Sequence, residues 1–331
     1  MNPGRKFALG ALAGAAGVVY ARAMVLRNRA LDRPPIHDAD GEPFEIETFE
    51  MSDGEIIEYL DVGEGEPLVW IPGADGPKET FVYQLPHFAA RYRVISADLR
   101  VDIRPEHDFD RLVDDVRELL DSLGVDRCVL IGQSLGSAIA LRFAVRFPER
   151  LHGLVLANPI YKVSHEHVGL NRTSLVPLAQ ATTRYLPTAL SRVVARLVWS
   201  PLAVWIYDDA PGSESLIEYA LNAGSRTTPP AVSNDRVALL KGHDLTEELW
   251  QVHAPTLVVK GPHDVYCPVS WALEIADSLP NARYVPIPGT GHCSHISRPG
   301  AFNQVLDSWL DEVLARDPDG SAAARPDGGT E

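Results

Sequence analysis

Two periods of apolar residues alternate along the chain. Short apolar runs at 44–49, 56–60, 68–71, 92–97, 128–131, 154–157, 256–259 and 283–287 have the length and bounding turn residues of strands. Between them lie segments of helical spacing. In 109–123, Leu112, Val113, Val116, Leu119, Leu120 and Leu123 fall on one helical face, and Gly124 supplies a stop. Further helices are predicted over 137–147, closed by Pro148, over 270–279 and over 301–315. Ser52-Asp53-Gly54 between the first two runs predicts a hairpin. Strand–helix alternation predicts an α/β fold: a mostly parallel sheet with helices on both faces and an antiparallel hairpin at one edge. From 158 to 250 the alternation stops. That stretch has helical segments but no strand pattern, and it is too long for an ordinary connection. It is expected to be a helical cap inserted after the sixth strand, between core segments 44–157 and 251–315.

The two ends depart from this pattern. Residues 7–21 are apolar without interruption, Arg5 and Lys6 precede them, and Arg22 is the one charge before 27. About 20 apolar residues cross a bilayer, so 1–31 is expected to associate the protein with a membrane, and the excess of arginines after the segment favours a cytoplasmic catalytic domain without deciding the side. A cleaved signal, with Ala21-Arg22-Ala23 as its small-residue site, and a helix packed on the domain are the alternatives, the former implying secretion and the latter a cytoplasmic protein. Residues 316–331 have no apolar periodicity and are expected to be disordered.

Composition narrows the function more than the fold. The 331 residues are 45% hydrophobic and 23% charged, an ordinary globular balance, but the formal net charge is −15. So acidic a surface repels phosphate backbones and argues against a nucleic-acid partner. Cys128, Cys267 and Cys293 form no metal-binding spacing. A bridge between Cys267 and Cys293 is open if the loops carrying them run side by side.

The chemistry centres on Gly132-Gln133-Ser134-Leu135-Gly136, entered from an apolar run and left into a helical one. A serine on such a sharp turn is held out in the open at a helix N-terminus, and the flanking glycines Gly132 and Gly136 let neighbouring chains approach. A hydroxyl is a poor nucleophile without a base. His292, in Gly289-Thr290-Gly291-His292 after the last predicted strand, is the candidate, and His295 is its nearest rival. His165 and His167 lack a third metal ligand nearby and read as cap-surface residues. A carboxylate must hold the imidazole in one tautomer. Asp264, beyond the run at 256–259, fits, whereas Asp244 and Asp277 sit in or beside helical segments. The oxyanion donors are expected to be the backbone N–H groups of Leu135 and Ala74. No cofactor and no metal is required.

From about 44 to 314 the chain resembles the α/β-hydrolase superfamily, in particular its esterase and lipase-like members with a helical cap. The resemblance is carried by IPGA (71–74), Asp98-Leu99-Arg100, GQSLGSA (132–138), PTLVVKGPHD (255–264) and IPGTGH (287–292). The order serine, acid, histidine matches as well. Two departures stand out. Pro72-Gly73 replaces the family's usual His-Gly, so the oxyanion loop is tied differently. Val101-Asp102-Ile103 replaces the usual Gly-x-Gly. Serine at 134 distinguishes the chain from dehalogenases and epoxide hydrolases, which carry aspartate there.

The resemblance implies hydrolysis of a small molecule, first a carboxylic ester through an acyl-enzyme. The apolar stretch 193–207 in the expected cap points to an apolar ester. Carbon–carbon bond hydrolysis or perhydrolysis by the same triad, and a receptor or adaptor with little turnover, are the alternatives. Labelling by a fluorophosphonate separates an enzyme from the last of these.

Overall fold

A computed structural model describes residues 36, 43–74, 76–163 and 230–315. They form one eight-stranded sheet: β1 (Glu47–Glu50), β2 (Ile56–Val62), β3 (Pro67–Ile71), β4 (Arg93–Ala97), β5 (Cys128–Gln133), β6 (Leu151–Ala157), β7 (Thr256–Lys260) and β8 (Ala282–Pro286). The helices are α1 (Leu85–Ala89), α2 (Phe109–Ser122), α3 (Leu135–Arg146), α4 (Pro230–Ala238), α5 (Val269–Ser278), α6 (Ser294–Ser297) and α7 (Pro299–Leu314). The strand order is β1-β2-β4-β3-β5-β6-β7-β8. β1–β2 and β2–β4 are antiparallel, and every pair from β4 to β8 is parallel. This is the mostly parallel α/β sheet that the alternation predicts, with the opening hairpin at the edge. In that hairpin Met51 N–H donates to the Glu55 carbonyl at 2.7 Å, and Gly54 takes the positive φ of 86° that the turn needs.

The central strands are apolar throughout because both faces of the sheet are covered. Val69, Ile71, Leu130, Leu156 and Val258 pack on one face under α2, α3 and α5. Leu68, Trp70, Val129, Ile131, Val155 and Val259 pack on the other under α1 and α7. Successive residues of a strand thus serve opposite layers.

Boundaries differ from expectation in two informative places. α3 begins at Leu135 rather than 137, because Ser134 is already its N-cap and the glycine at 136 sits inside the first turn. α1 was not predicted: five residues containing Pro86 are too short to show a period.

Residues 164–229, most of the expected cap, lie outside the described residues, as do His165, His167, the stretch 193–207 and the tail 316–331. The described end of that insertion holds α4, a short 3₁₀ turn over Leu249–Gln251 and an isolated bridge between Lys162 and Asp244.

The expectation of a membrane-associated protein is corrected. Among the described residues no helix is long and apolar enough to cross a membrane. The longest of them, α7, has 16 residues and buries Phe302, Leu306, Trp309 and Leu310 against the sheet. At 1.5 Å per residue it would fall short of a hydrocarbon layer about 30 Å thick. Residues 1–31, on which the expectation rested, lie outside the described residues.

Candidate active site

β5 is buried along its whole length and delivers the chain to Ser134 at φ 55°, ψ −118°, a left-handed conformation that a non-glycine residue adopts only when its surroundings impose it. Two features impose it here. Ser134 N–H donates to the Ala157 carbonyl at 3.0 Å, tying the turn to the end of β6. The chain on either side is also packed too tightly for side chains. A Cβ on Gly132 would come within 2.2 Å of the Gly136 carbonyl oxygen, and one on Gly136 within 2.1 Å of the Ile71 carbonyl oxygen. Ser137 Oγ donates back to the Ser134 carbonyl at 2.5 Å.

The loops after β7 and β8 lie against each other. His263 N–H donates to the Thr290 carbonyl at 3.0 Å. A Cβ on Gly261 would meet the Gly291 carbonyl oxygen at 1.9 Å, so only glycine permits this approach. The result is a continuous hydrogen-bonded line. Ser134 Oγ lies 2.9 Å from His292 Nε2, and His292 Nδ1 lies 3.0 Å from Asp264 Oδ2. A carboxylate only accepts, so Nδ1 carries the proton and Nε2 is left to accept from the serine.

Asp264 is buried and its carboxylate is saturated. Oδ1 accepts from the backbone N–H groups of Tyr266 and Cys267 at 2.8 and 3.1 Å. Oδ2 accepts from His292, from Asn158 Nδ2 at 2.6 Å and from Lys260 Nζ at 2.5 Å. Burial alone would raise its pKa, but the neighbouring imidazole, the Lys260 ammonium and the Asn158 amide together hold it well below the usual carboxylate range. Burial disfavours a charged His292 ring. The Asp264 carboxylate and the Cys267 thiol outweigh that and raise its pKa.

Besides Lys260, sequence reasoning missed three participants. Asn158, at the end of β6, has φ 52° and its amide also donates to the Gly291 carbonyl at 3.0 Å. Asparagine is among the few residues that tolerate that conformation, which was the available signal. Gln133 Nε2 donates to the His292 carbonyl at 3.2 Å. Arg236, buried on α4, donates to the carbonyls of Ala74, Leu99 and Arg100 at 2.8, 2.5 and 2.9 Å. The loop expected to carry an oxyanion donor is therefore held from the α4 side, where Pro72 offers no side-chain donor. Leu135 N–H, in the first turn of α3, has no carbonyl one turn back within the helix.

The rivals are placed elsewhere. His295 is buried between Phe81 and Phe302, and neither ring nitrogen has a hydrogen-bond partner among the described residues. Asp244 accepts from Thr246. Asp277 lies on α5. Cys267 and Cys293 are not joined by a disulfide, so the open bridge is not made. Cys267 instead turns its sulfur toward His292. Asp264, Cys267 and His292 bring donor atoms within 4.8 Å of one another, but the Asp264 oxygen that faces His292 is already engaged by an ammonium, which opposes a second cation there.

A family model described as the alpha/beta hydrolase family matches residues 68–305. The chain belongs to that family. Among similar α/β-hydrolases, a 2-hydroxy-6-oxo-6-phenylhexa-2,4-dienoate hydrolase of Comamonas testosteroni is 28% identical over 269 residues, covering 77% of this chain and 91% of its own. A hydrolase of Pseudomonas aeruginosa PA01 of known structure is 26% identical with a TM-score of 0.63, over 80% of this chain and 98% of its own. A thermophilic esterase of Thermogutta terrifontis has a TM-score of 0.64 at 22% identity, over 81% and 99% respectively, and shows the shared fold. The family's hydrolytic activity on small molecules thus extends to this chain.

Proposed function

We propose that this α/β-hydrolase is a serine hydrolase of carboxylic esters, with Ser134 as nucleophile, His292 as base and Asp264 as the acid that orients it. The observation that carries the reading is the unbroken line from Ser134 Oγ through His292 to Asp264 Oδ2, starting at a serine held at φ 55°. Ser134 Oγ attacks the ester carbonyl while His292 Nε2 takes its proton. The oxyanion is held by the N–H groups of Leu135 and Ala74. The protonated imidazole then gives its proton to the departing alcohol, leaving an acyl group on Ser134. Water, deprotonated by the same nitrogen, releases the acid and restores the serine. The apolar stretch 193–207 supports an apolar acyl or alcohol group.

A second reading has support of its own. The likeness to a hydrolase named for a 2-hydroxy-6-oxo-dienoate favours cleavage of a carbon–carbon bond beside a ketone by the same three side chains. A panel of p-nitrophenyl esters of increasing acyl length, run beside a vinylogous 2-hydroxy-6-oxo-dienoate, separates the two. The ester reading predicts turnover of the esters, lost by at least about a thousandfold in a folded Ser134→Ala chain along with fluorophosphonate labelling. Turnover of the dienoate alone would transfer the assignment to the second reading.

A further inference from the structure

Lys260 is the last residue of β7 and its side chain is 0% exposed. Its Nζ lies 2.5 Å from Asp264 Oδ2, and Asp264 is its one carboxylate partner among the described residues. Nothing in the fold asks for a charge there. The four preceding residues of β7 are buried, and an apolar side chain at the strand end would extend that core without desolvating an ion pair. The pair instead meets the reacting line at a single atom. Asp264 Oδ2 is also the acceptor for His292 Nδ1, 3.0 Å away. Through that shared oxygen the ammonium and the ring nitrogen lie at most about 5.5 Å apart, within range of strong interaction in a buried site.

The groups facing His292 come from several elements. Ser134 approaches from the β5–α3 turn, Asp264, Tyr266 and Cys267 from the loop after β7, and His295 from α6. Burial pushes the Cys267 thiol up and the His295 imidazole down to about 3, so both are neutral at ordinary pH. Asp264 and Lys260 are then the charged pair of the site. Without Lys260, a protonated His292 would face an unshared carboxylate. With it, the imidazolium forms beside a fixed positive charge that already neutralises Asp264.

We propose that Lys260 is a positioning residue that shares Oδ2 of Asp264 with His292 and, by its positive charge, keeps the imidazole free to act as a base at lower pH than Asp264 alone would allow. The proposal rests on the Ser134–His292–Asp264 reading of the site. It assigns Lys260 no contact with substrate.

The test is the pH profile of kcat/KM for p-nitrophenyl acetate, whose acid limb reports the free enzyme's base. Removing the positive charge stabilises the imidazolium, so the acid limb must move upward. In Lys260→Met and Lys260→Gln it is expected to rise by about 1–2 pH units, a ten- to hundredfold loss of kcat/KM below the limb with partial recovery above it. Lys260→Arg keeps the charge and is expected to hold the limb within about half a unit of wild type, even with a lower plateau. A residue that only supports the fold would lower the melting temperature and the plateau and leave the limb in place. Lys260→Gln, which keeps the side chain's polarity, serves where the methionine variant does not fold. The rate of fluorophosphonate inactivation against pH gives the same limb without a turnover step. An unmoved limb in a folded, labelled Lys260→Met or Lys260→Gln chain overturns the proposal, as does an equal shift in Lys260→Arg. Failure of the underlying reading looks different: Ser134→Ala would then still hydrolyse the ester, whatever the Lys260 variants do.

Discussion

His295, three residues from the proposed base, offers a quantitative check on the distinction between the two histidines. Its ring is 1% exposed, has Phe81 at 5.4 Å and Phe302 at 6.1 Å between centroids, and finds no hydrogen-bond partner for either nitrogen among the described residues. Burial, with a smaller contribution from His292, pushes its pKa down to about 3. In the unfolded chain a histidine titrates near 6.5. Below that pH the unfolded state binds a proton that the folded state refuses, so this residue's contribution to stability falls as pH drops from about 6.5 towards 3. At pH 4.5 the unfolded ring is almost fully protonated and the folded ring almost fully neutral, which corresponds to about 3 kcal/mol lost relative to pH 7.5. His295→Phe removes this proton linkage and relieves two unsatisfied polar atoms, a further gain of about 1–3 kcal/mol at every pH. Urea denaturation of both chains at pH 7.5, 6 and 4.5 measures the difference. Carboxylate protonation acts on both alike, so their separation must widen by about 3 kcal/mol on acidification. If the two lines run parallel, the ring titrates in the folded state and its burial has been misjudged. Fluorophosphonate labelling of Ser134 at neutral pH should persist in His295→Phe, since His295 takes no part in the proposed relay.

Other substitutions probe the site directly. Asp264→Asn removes the negative charge that fixes the His292 tautomer and is expected to lower kcat by about four orders of magnitude, measured on the best ester of the panel. Gly136→Ala drives a Cβ to within 2.1 Å of the Ile71 carbonyl oxygen and is expected to cost at least about 2–3 kcal/mol of stability in chemical denaturation. A neutral result would mean that the turn has slack. Arg236→Met leaves the Ala74, Leu99 and Arg100 carbonyls without their buried donor. It is expected to lose about 3 kcal/mol of stability and at least about tenfold in kcat, and an unchanged kcat in a folded variant would separate Arg236 from the oxyanion loop.

Most of the fold was legible because its central strands are apolar on both faces and its helices on one, so length and period distinguish them. Ser134 was legible for a local reason: the glycines around it answer to contacts within the same turn and with the end of β3. His292 and Asp264 could be placed by the strand ends that precede them, but the partners of Asp264 could not. A lysine after three apolar residues reads as the exposed end of a strand. Only the approach of the loop after β8, through Gly261 and Gly291, shows that it is enclosed. Asn158 and Arg236 were hidden for a related reason, since each acts on backbone or side chains more than a hundred residues away in sequence. The open cysteine bridge failed on side-chain direction: the loops do run together, but Cys267 turns its sulfur toward the imidazole.

The strand order has a consequence for synthesis. The proposed nucleophile is encoded at residue 134, between the inner strands β5 and β6, whereas the proposed acid and base follow β7 and β8, the last of the described strands to be made, at the outer edge of the sheet. A growing chain therefore possesses its serine for well over a hundred residues before it possesses anything to activate it. On the proposed assignment, any product that stops short of residue 292 carries the serine without its base and is chemically silent.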